Sequence, residues 1–400
     1  MFVWTVPVMW PDVWRKRWRG ERLLLFERSP LKCRSHTILI CIPVFSPAFD
    51  PAKLCSGCQL HRMMCSHRRE TMTSSFSMRS TRLLLPSFFA LLLLVSLSAC
   101  TTTKDVDRLE PVVVTDATLH DTDDPAIWVH PDDPARSLVI GTDKEEEGAL
   151  YVFDMEGRVD EERTVRGLRR PNNVDVEYGI LLDGKEIDIA VTTERLENRL
   201  RVFQLPEMTP VDGGGLPVFE GTEQRAPMGI ALYKRPADSA VFAIVSRKTG
   251  PSGSYLWQYR LNDNGEGTIV AEKVREFGAF SGGDGEIEAI DVDDALGYVY
   301  YTDEAAGIRK YHADPDRPDA AQELAVFGQE RFKEDREGIS IYELDGRTGY
   351  ILVSDQQRNA FQVFRREGFE GDPHDHIYLK TVYISTNESD GSEVVSVPMG

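Results

Sequence analysis

Residues 298–316 read YVYYTDEAAGIRKYHADPD: a short β-branched and aromatic run, a charged turn, a second such run and a polar hairpin. The same unit recurs on both sides. First runs stand at Leu138–Ile140, Ile187–Thr192, Val241–Val245, Tyr298–Tyr301 and Tyr350–Val353, with starts 49, 54, 57 and 52 residues apart. The second runs are ALYVFDMEGR, NRLRVFQLP, SYLWQYRLNDN, GIRKYHADPD and AFQVFRREG. Short strands punctuated by turns mean a sandwich, a barrel or a propeller, and self-similarity near fifty residues selects the propeller. No long amphipathic helical pattern interrupts them, which argues against a βαβ sheet. Five repeats are visible and a sixth begins at DHIYLKTVYIST. The expected fold is therefore all-β, a six-bladed β-propeller whose last blade is incomplete in this chain. Its C-terminal strand is missing, and Pro111–Thr115 is available from the other end to help complete the blade.

Charge divides the chain before any motif does. The formal net charge is −19, composed of +9 over residues 1–99 and −28 over residues 100–400. A −28 surface repels a polyanion, so nucleic-acid binding by phosphate neutralisation is excluded. Residues 79–100, RSTRLLLPSFFALLLLVSLSAC, have Arg79 and Arg82 ahead of an apolar stretch too short for a comfortable membrane span and suited to a secretory signal. The closing Leu-Ser-Ala-Cys resembles a lipoprotein box with Cys100 as the lipidated residue. The expected organisation is a spurious upstream segment (1–77), a lipoprotein signal peptide (78–99), a tether (100–115) and a propeller (116–400). The expected location is the cell envelope, lipid-anchored at Cys100 to a membrane and facing away from the cytoplasm. Cys55, Cys58, His61, Cys65 and His67 imitate zinc-ligand spacing, but a metal knuckle ahead of an export signal makes little sense. After Cys100 there is no cysteine, hence no thiol chemistry in the domain.

Acids recur in tight clusters at the edges of the repeats: Asp121, Asp123 and Asp124; Asp284, Glu286 and Glu288; Asp303 and Glu304; Asp335 and Glu337; Glu388, Asp390 and Glu393. In a propeller such positions lie near the mouths of the central channel, where carboxylates from different blades meet and repel unless a cation compensates. Oxygen-rich clusters of flexible geometry suit Ca²⁺ better than zinc. Solvated turns of an acidic secreted protein are the plain alternative. Lys144, Arg195 and Lys248 follow the first run of three consecutive repeats, and three cations in register beside acids suit an anionic ligand such as phosphate. His374 and His376, in a hairpin loop, read as solvated.

The segments DTDDPAIWVHPDDP, LVIGTDK, RPNNVDVEYGI, IEAIDVDDALGYVYYTDEAAGIRKY, EDREGISIY and ESDGSE, in this order, resemble the β-propeller phytases over nearly all of residues 116–400. The resemblance implies a six-bladed, calcium-dependent phosphoric monoester hydrolase that removes phosphate from myo-inositol hexakisphosphate, supplied as Ca²⁺-phytate, by a metal-activated water. It makes Lys144, Arg195 and Lys248 phosphate-binding cations. It makes Glu288, Glu304, Asp335 and Glu337 the catalytic acids that hold calcium. Asp123, Asp124, Asp390 and Glu393 resemble further calcium ligands. Two positions depart from the family: Met228 stands where a tyrosine is usual, and Glu145 where a second lysine is. The rival readings are a calcium-dependent propeller lactonase or esterase, and a non-catalytic binding propeller. A monomer is expected, since nothing indicates a self-complementary surface.

Overall fold

The computed structural model describes residues 107–283 and 285–399, together with the backbone of two short N-terminal strands. The strands, in chain order, are β1 (Phe2–Pro7), β2 (His36–Cys41), β3 (Val113–Ala117), β4 (Thr122–Trp128), β5 (Leu138–Asp143), β6 (Gly148–Phe153), β7 (Val165–Leu168), β8 (Pro171–Leu182), β9 (Lys185–Glu194), β10 (Arg199–Leu205), β11 (Thr209–Pro210), β12 (Leu216–Pro217), β13 (Pro227–Lys234), β14 (Val241–Arg247), β15 (Leu256–Asp263), β16 (Ile269–Phe277), β17 (Ile290–Asp293), β18 (Tyr298–Asp303), β19 (Gly307–His312), β20 (Ala325–Phe327), β21 (Ile339–Glu343), β22 (Gly349–Asp355), β23 (Ala360–Arg365), β24 (Tyr378–Tyr383) and β25 (Ser389–Val395). Between them lie only three single 3₁₀ turns among the described residues.

Five blades, where the sequence predicts six, are built from consecutive antiparallel strands: β4–β7, β8–β12, β13–β16, β17–β20 and β21–β24. One further sheet has the order β25-β1-β2-β3. It holds the segment after Pro111 and the C-terminal strand at opposite edges, with two N-terminal strands between them, and DHIYLKTVYIST, expected to begin a sixth repeat, instead supplies β24, the outer strand of the fifth blade. The signal segment, Cys100, the zinc-like cysteines and Asp284 lie outside the described residues.

Apolar residues pack in layers between neighbouring sheets, which makes this a propeller and not a sandwich. Ile140, Val174 and Phe203 join the first two blades. Val191, Leu232 and Trp257 join the second and third, Ile244, Ile290 and Tyr301 the third and fourth, and Ile308, Ile339 and Phe364 the fourth and fifth. Leu352, Phe361 and Val394 then join the fifth blade to the β25 sheet, and Ile127, Tyr151, Val113 and Val395 join that sheet back to the first blade. The circle closes. Strands β4, β8, β13, β17, β21 and β25 are in contact in that cyclic order around the axis.

The runs legible in the sequence are the second strand of each blade, buried on both faces (Leu138–Asp143 and Val241–Arg247 are buried throughout) and so continuously apolar. The innermost strands of the first two blades instead carry polar residues at or near their start, TDDPAIW and PNNVDVEYGILL. Two glycines let innermost strands approach their neighbours. A Cβ on Gly391 would stand 2.0 Å from the Asp124 carboxylate, and one on Gly229 would stand 1.8 Å from the Glu288 carbonyl.

The hairpin loop with His374 and His376 is not solvated as expected. His376 is buried against Tyr300 and Phe327, with Nε2 3.1 Å from Lys310 Nζ, and His374 sets its ring edge against Tyr298. Burial first, and Lys310 second, push the His376 imidazole down to about 4.

Candidate active site

Each innermost strand starts at one end of the channel, and each second strand, running antiparallel, ends there. One main-chain hydrogen bond repeats around this mouth. Lys144 N donates to Asp121 O (2.7 Å), Arg195 N to Arg170 O (3.0 Å), Lys248 N to Ala226 O (2.8 Å), Glu304 N to Glu286 O (3.4 Å) and Gln356 N to Asp335 O (3.3 Å). The three predicted cations are thus in register, and blades four and five continue the set with Glu304 and Gln356.

Asn172, to which sequence reasoning gave no role, is the hub. It is fully buried, and its Nδ2 faces Asp123 Oδ2 at 3.1 Å, Asn173 Oδ1 at 2.9 Å and Glu288 Oε1. Arg195 Nη1 donates to Asn172 Oδ1 over 3.2 Å. With two hydrogens for three acceptors, Nδ2 holds Asp123 and Glu288 close but cannot satisfy all three at once. Lys144 Nζ is ion-paired with Asp123 and lies 3.4 Å from Asp390 Oδ2, and Gln356 Nε2 donates to Asp390 Oδ1 over 2.8 Å. Lys248 pairs with Glu286. Glu304 Oε2 accepts from Glu286 N at 2.7 Å, and Asp335 is held by Gln357 through its N–H (2.8 Å) and carboxylate (2.6 Å). Arg336 is buried between Asp335 and Glu337 in sequence and donates to the Glu304 carbonyl. The signal for Asn172 was in the quoted RPNNVD segment. Arg336 lay within the quoted EDREGISIY segment, whereas Gln356 and Gln357 had no signal in the sequence.

The acids are held at a cost. Burial, then Asp123, raises Glu288, and burial, then Glu288, Asp390 and Glu304, raises Glu337 well above the usual range. Burial raises Asp390 too, against the pull of Lys144, and Glu304 is pushed up to about 7 by burial and then by Asp335 and Glu288. Lys144 feels the reverse. Burial pulls it down, but Asp123, Asp390 and Glu288 outweigh that and hold it well above its ordinary value.

Two predicted residues are not at the mouth. Asp124 and Glu393 lie deeper, lining with Asp175 and Asp291 a narrow channel cavity of about 20 Å³. There Asp124 accepts from Val174 N at 3.0 Å, and Asp175 from Leu232 N at 2.6 Å, tying successive innermost strands together. Asp303 also has a structural place, buried and paired with Arg309 at 2.8 Å.

The donors at the mouth are carboxylate and amide oxygens, with several acids facing each other and Lys144 the cation among them. That composition fits a hard, oxygen-seeking divalent cation such as Ca²⁺. No three acids among the described residues form a closed cage for one.

Comparison with known proteins agrees with this chemistry. The family model described as Phytase matches residues 73–400. A curated protein named 3-phytase from Bacillus subtilis (strain 168) is 29% identical over 293 residues, covering 70% of this chain and 71% of its own. Among solved structures, the Dos1 propeller is 12% identical with a TM-score of 0.38, over 67% of this chain and 60% of that one. U3-55K is 10% identical with a TM-score of 0.41, over 68% and 70%. With a family match over most of its length and the acids and cations of its motifs gathered at one channel mouth, the chain belongs to the phytase family.

Proposed function

We propose that this protein hydrolyses phosphomonoesters of phytate at the channel mouth, with calcium bound by the mouth acids, releasing phosphate and lower inositol phosphates. The observation behind the reading is the convergence of Asp123, Glu288, Glu337 and Asp390 around Lys144, beside Arg195 and Lys248. Asp123, Glu288, Glu304, Asp335, Glu337 and Asp390 would hold calcium at the mouth, and Asp124 and Glu393 a cation in the channel. Calcium, when bound, neutralises substrate oxygens and makes a nearby water a better nucleophile. The rest falls to the chain. Phosphoryl transfer needs positioning and charge stabilisation more than covalent help. Asn172 fixes the spacing of Asp123, Glu288 and Arg195. Lys144 and Lys248 can exchange a carboxylate for a phosphoryl oxygen, and Arg195 presents a planar donor fork to one.

This reading extends to location: the domain is a monomer tethered to a membrane by lipid on Cys100. The test is phosphate release from Ca²⁺-phytate with and without EDTA. Release that stops in EDTA and returns with added Ca²⁺ is expected. Full activity in chelator overturns the calcium part, and no release with calcium present overturns the whole.

A further inference from the structure

Arg336 is the buried member of the segment that leads from the mouth into blade five. Asp335 and Glu337 on either side of it are part-exposed, whereas Arg336 is 6% exposed. Its guanidinium carbon lies 4.6 Å from the centre of the Phe332 ring, and Phe332 packs against Phe364 in the layer between blades four and five. From there Nη1 crosses to blade four and donates to the Glu304 carbonyl, with the Glu334 carbonyl at 3.5 Å. Glu304 is then held at each of its polar groups, because its N donates to Glu286 O (3.4 Å) and its carboxylate accepts from Glu286 N (2.7 Å).

A carbonyl is not the partner that these surroundings offer first. Burial pulls Arg336 below its ordinary value, and Glu304, Asp355, Asp303 and Asp335 all pull the other way. A guanidinium with acids in reach ordinarily takes one of them through two parallel hydrogen bonds. Among the described residues Arg336 forms no ion pair, and its buried Nε has no hydrogen-bond partner. Asp303 and Asp355 are taken instead by Arg309 (2.8 Å) and Arg358 (3.0 Å), and Asp335 by the Gln357 amide (2.6 Å). Arg336 therefore pins main chain, and among the described residues no basic side chain forms an ion pair with Glu304, Asp335 or Glu337. Burial and mutual repulsion raise Glu304 and Glu337, so the acids do not hold themselves together.

We propose that Arg336 is a positioning residue for these acids: by tying the Asp335–Glu337 segment of blade five to the Glu304 carbonyl of blade four, it sets the spacing at which Glu304, Asp335 and Glu337 receive a divalent cation, without occupying any of their carboxylates. The proposal rests on the reading of these acids as calcium ligands and adds the group that keeps them in place across two blades. Its direction is opposite to that of charge alone. As a mere positive charge Arg336 repels calcium, and removing it would tighten binding; as a tie it strengthens binding, and removing it weakens binding.

The test is calorimetric titration of Ca²⁺ into the chelator-stripped protein without substrate, for wild type, Arg336→Met and Arg336→Lys. Binding at the mouth is the part of the isotherm that Glu337→Gln removes. Arg336→Met is expected to weaken that part at least about tenfold, the scale on which groups that orient metal ligands act, and Arg336→Lys to recover some of it. In phosphate release from phytate, the calcium concentration for half-maximal rate should rise by the same factor, with the rate at saturating calcium within about threefold of wild type. Tighter or unchanged calcium binding in Arg336→Met overturns the proposal, and so does a loss of rate that saturating calcium does not restore. Should Arg336→Met not fold, Arg336→Lys decides: calcium bound severalfold more weakly supports the tie, and calcium bound as in wild type overturns it. A wild type that binds calcium at the mouth but releases no phosphate ends the phytate reading and leaves this comparison standing. An active wild type whose calcium affinity Arg336→Met shares ends the proposal alone, and a wild type with no heat that Glu337→Gln removes overturns both.

Discussion

Replacing Glu288 by glutamine should move stability and activity in opposite directions. The carboxylate sits half-buried at the mouth, facing Asp123, with Asn172 Nδ2 on its Oε1. Glutamine has nearly the same shape and its amide oxygen still accepts from Asn172, so the hub is preserved. What disappears is one negative charge in a cluster where Lys144 and Lys248 only partly offset the acids. An ion in such a place costs several kcal/mol before compensation. With partial compensation and some solvent access, the net gain on neutralising it is about 1–2 kcal/mol in metal-free protein. For a domain of this size that raises the thermal midpoint by roughly 2–6 °C.

Activity should fall for the same reason. If the carboxylate holds calcium, its loss should cost at least about a hundredfold in kcat/KM, because even the groups that merely orient metal ligands cost 10–100-fold when removed. The assay pairs thermal unfolding in EDTA with phosphate release from Ca²⁺-phytate. A variant destabilised by more than about 1 kcal/mol in EDTA would refute the idea that mutual repulsion strains the cluster. A variant with activity within about threefold of wild type in calcium would refute the assignment of Glu288 to the metal.

Three further outcomes are expected. Lys248→Ala should raise KM for phytate severalfold while the fold persists, because Lys248 is part-exposed and its one ion pair, with Glu286, contributes little to stability; unchanged kinetics would favour a lactonase-like site with no need of phosphate anchors. Away from the mouth, burial raises Asp175 to about 6, Glu177 to about 7 and Asp294 to about 9. An acid raised on folding makes the folded state bind more protons than the unfolded one, so in EDTA the midpoint of unfolding should fall as pH rises from about 5 to about 8; a rising midpoint would contradict this. Arg366, fully buried, holds Asp293 of blade four through two 2.6 Å bonds, so Arg366→Met should cost about 3–5 kcal/mol in urea unfolding by leaving a buried carboxylate unpaired, and adding Asp293→Asn should restore part of it.

The sequence made the blades legible through their second strands, because strands buried on both faces are apolar without interruption. The innermost strands were read as motifs and not as strands, since their first residues are recruited for the mouth. The cations Lys144, Arg195 and Lys248 were found because a fifty-residue period fixes their register. Depth was not legible. Asp123 and Asp124 are adjacent on a strand and so face opposite ways, one toward Lys144 and the other toward Val174 of the next blade. Asp390 and Glu393, three apart on β25, separate for the same reason, one to the mouth and one to the channel. Long-range cover was equally invisible. His376 looks like a loop residue because Lys310, the group it faces, is 66 positions away.

The repeated main-chain bond at the mouth gives the ring a direction. Read around it, the residue after each second strand is Lys144, Arg195, Lys248, Glu304 and Gln356, so the cations occupy three adjacent blades and the acid and amide the next two. A propeller built from near-identical repeats would surround its axis with like groups and would hold a substrate in any rotation. This ring cannot. If the mouth acts as proposed, a multiply phosphorylated substrate would place its intact phosphates against the cationic arc, and the phosphate facing Glu304, Asp335 and Glu337 would be the one brought to the acids that would hold calcium. The −28 charge of residues 100–400 is therefore not a uniform barrier to a polyanion. Broken by the cations of one arc, it would favour one orientation of such a substrate.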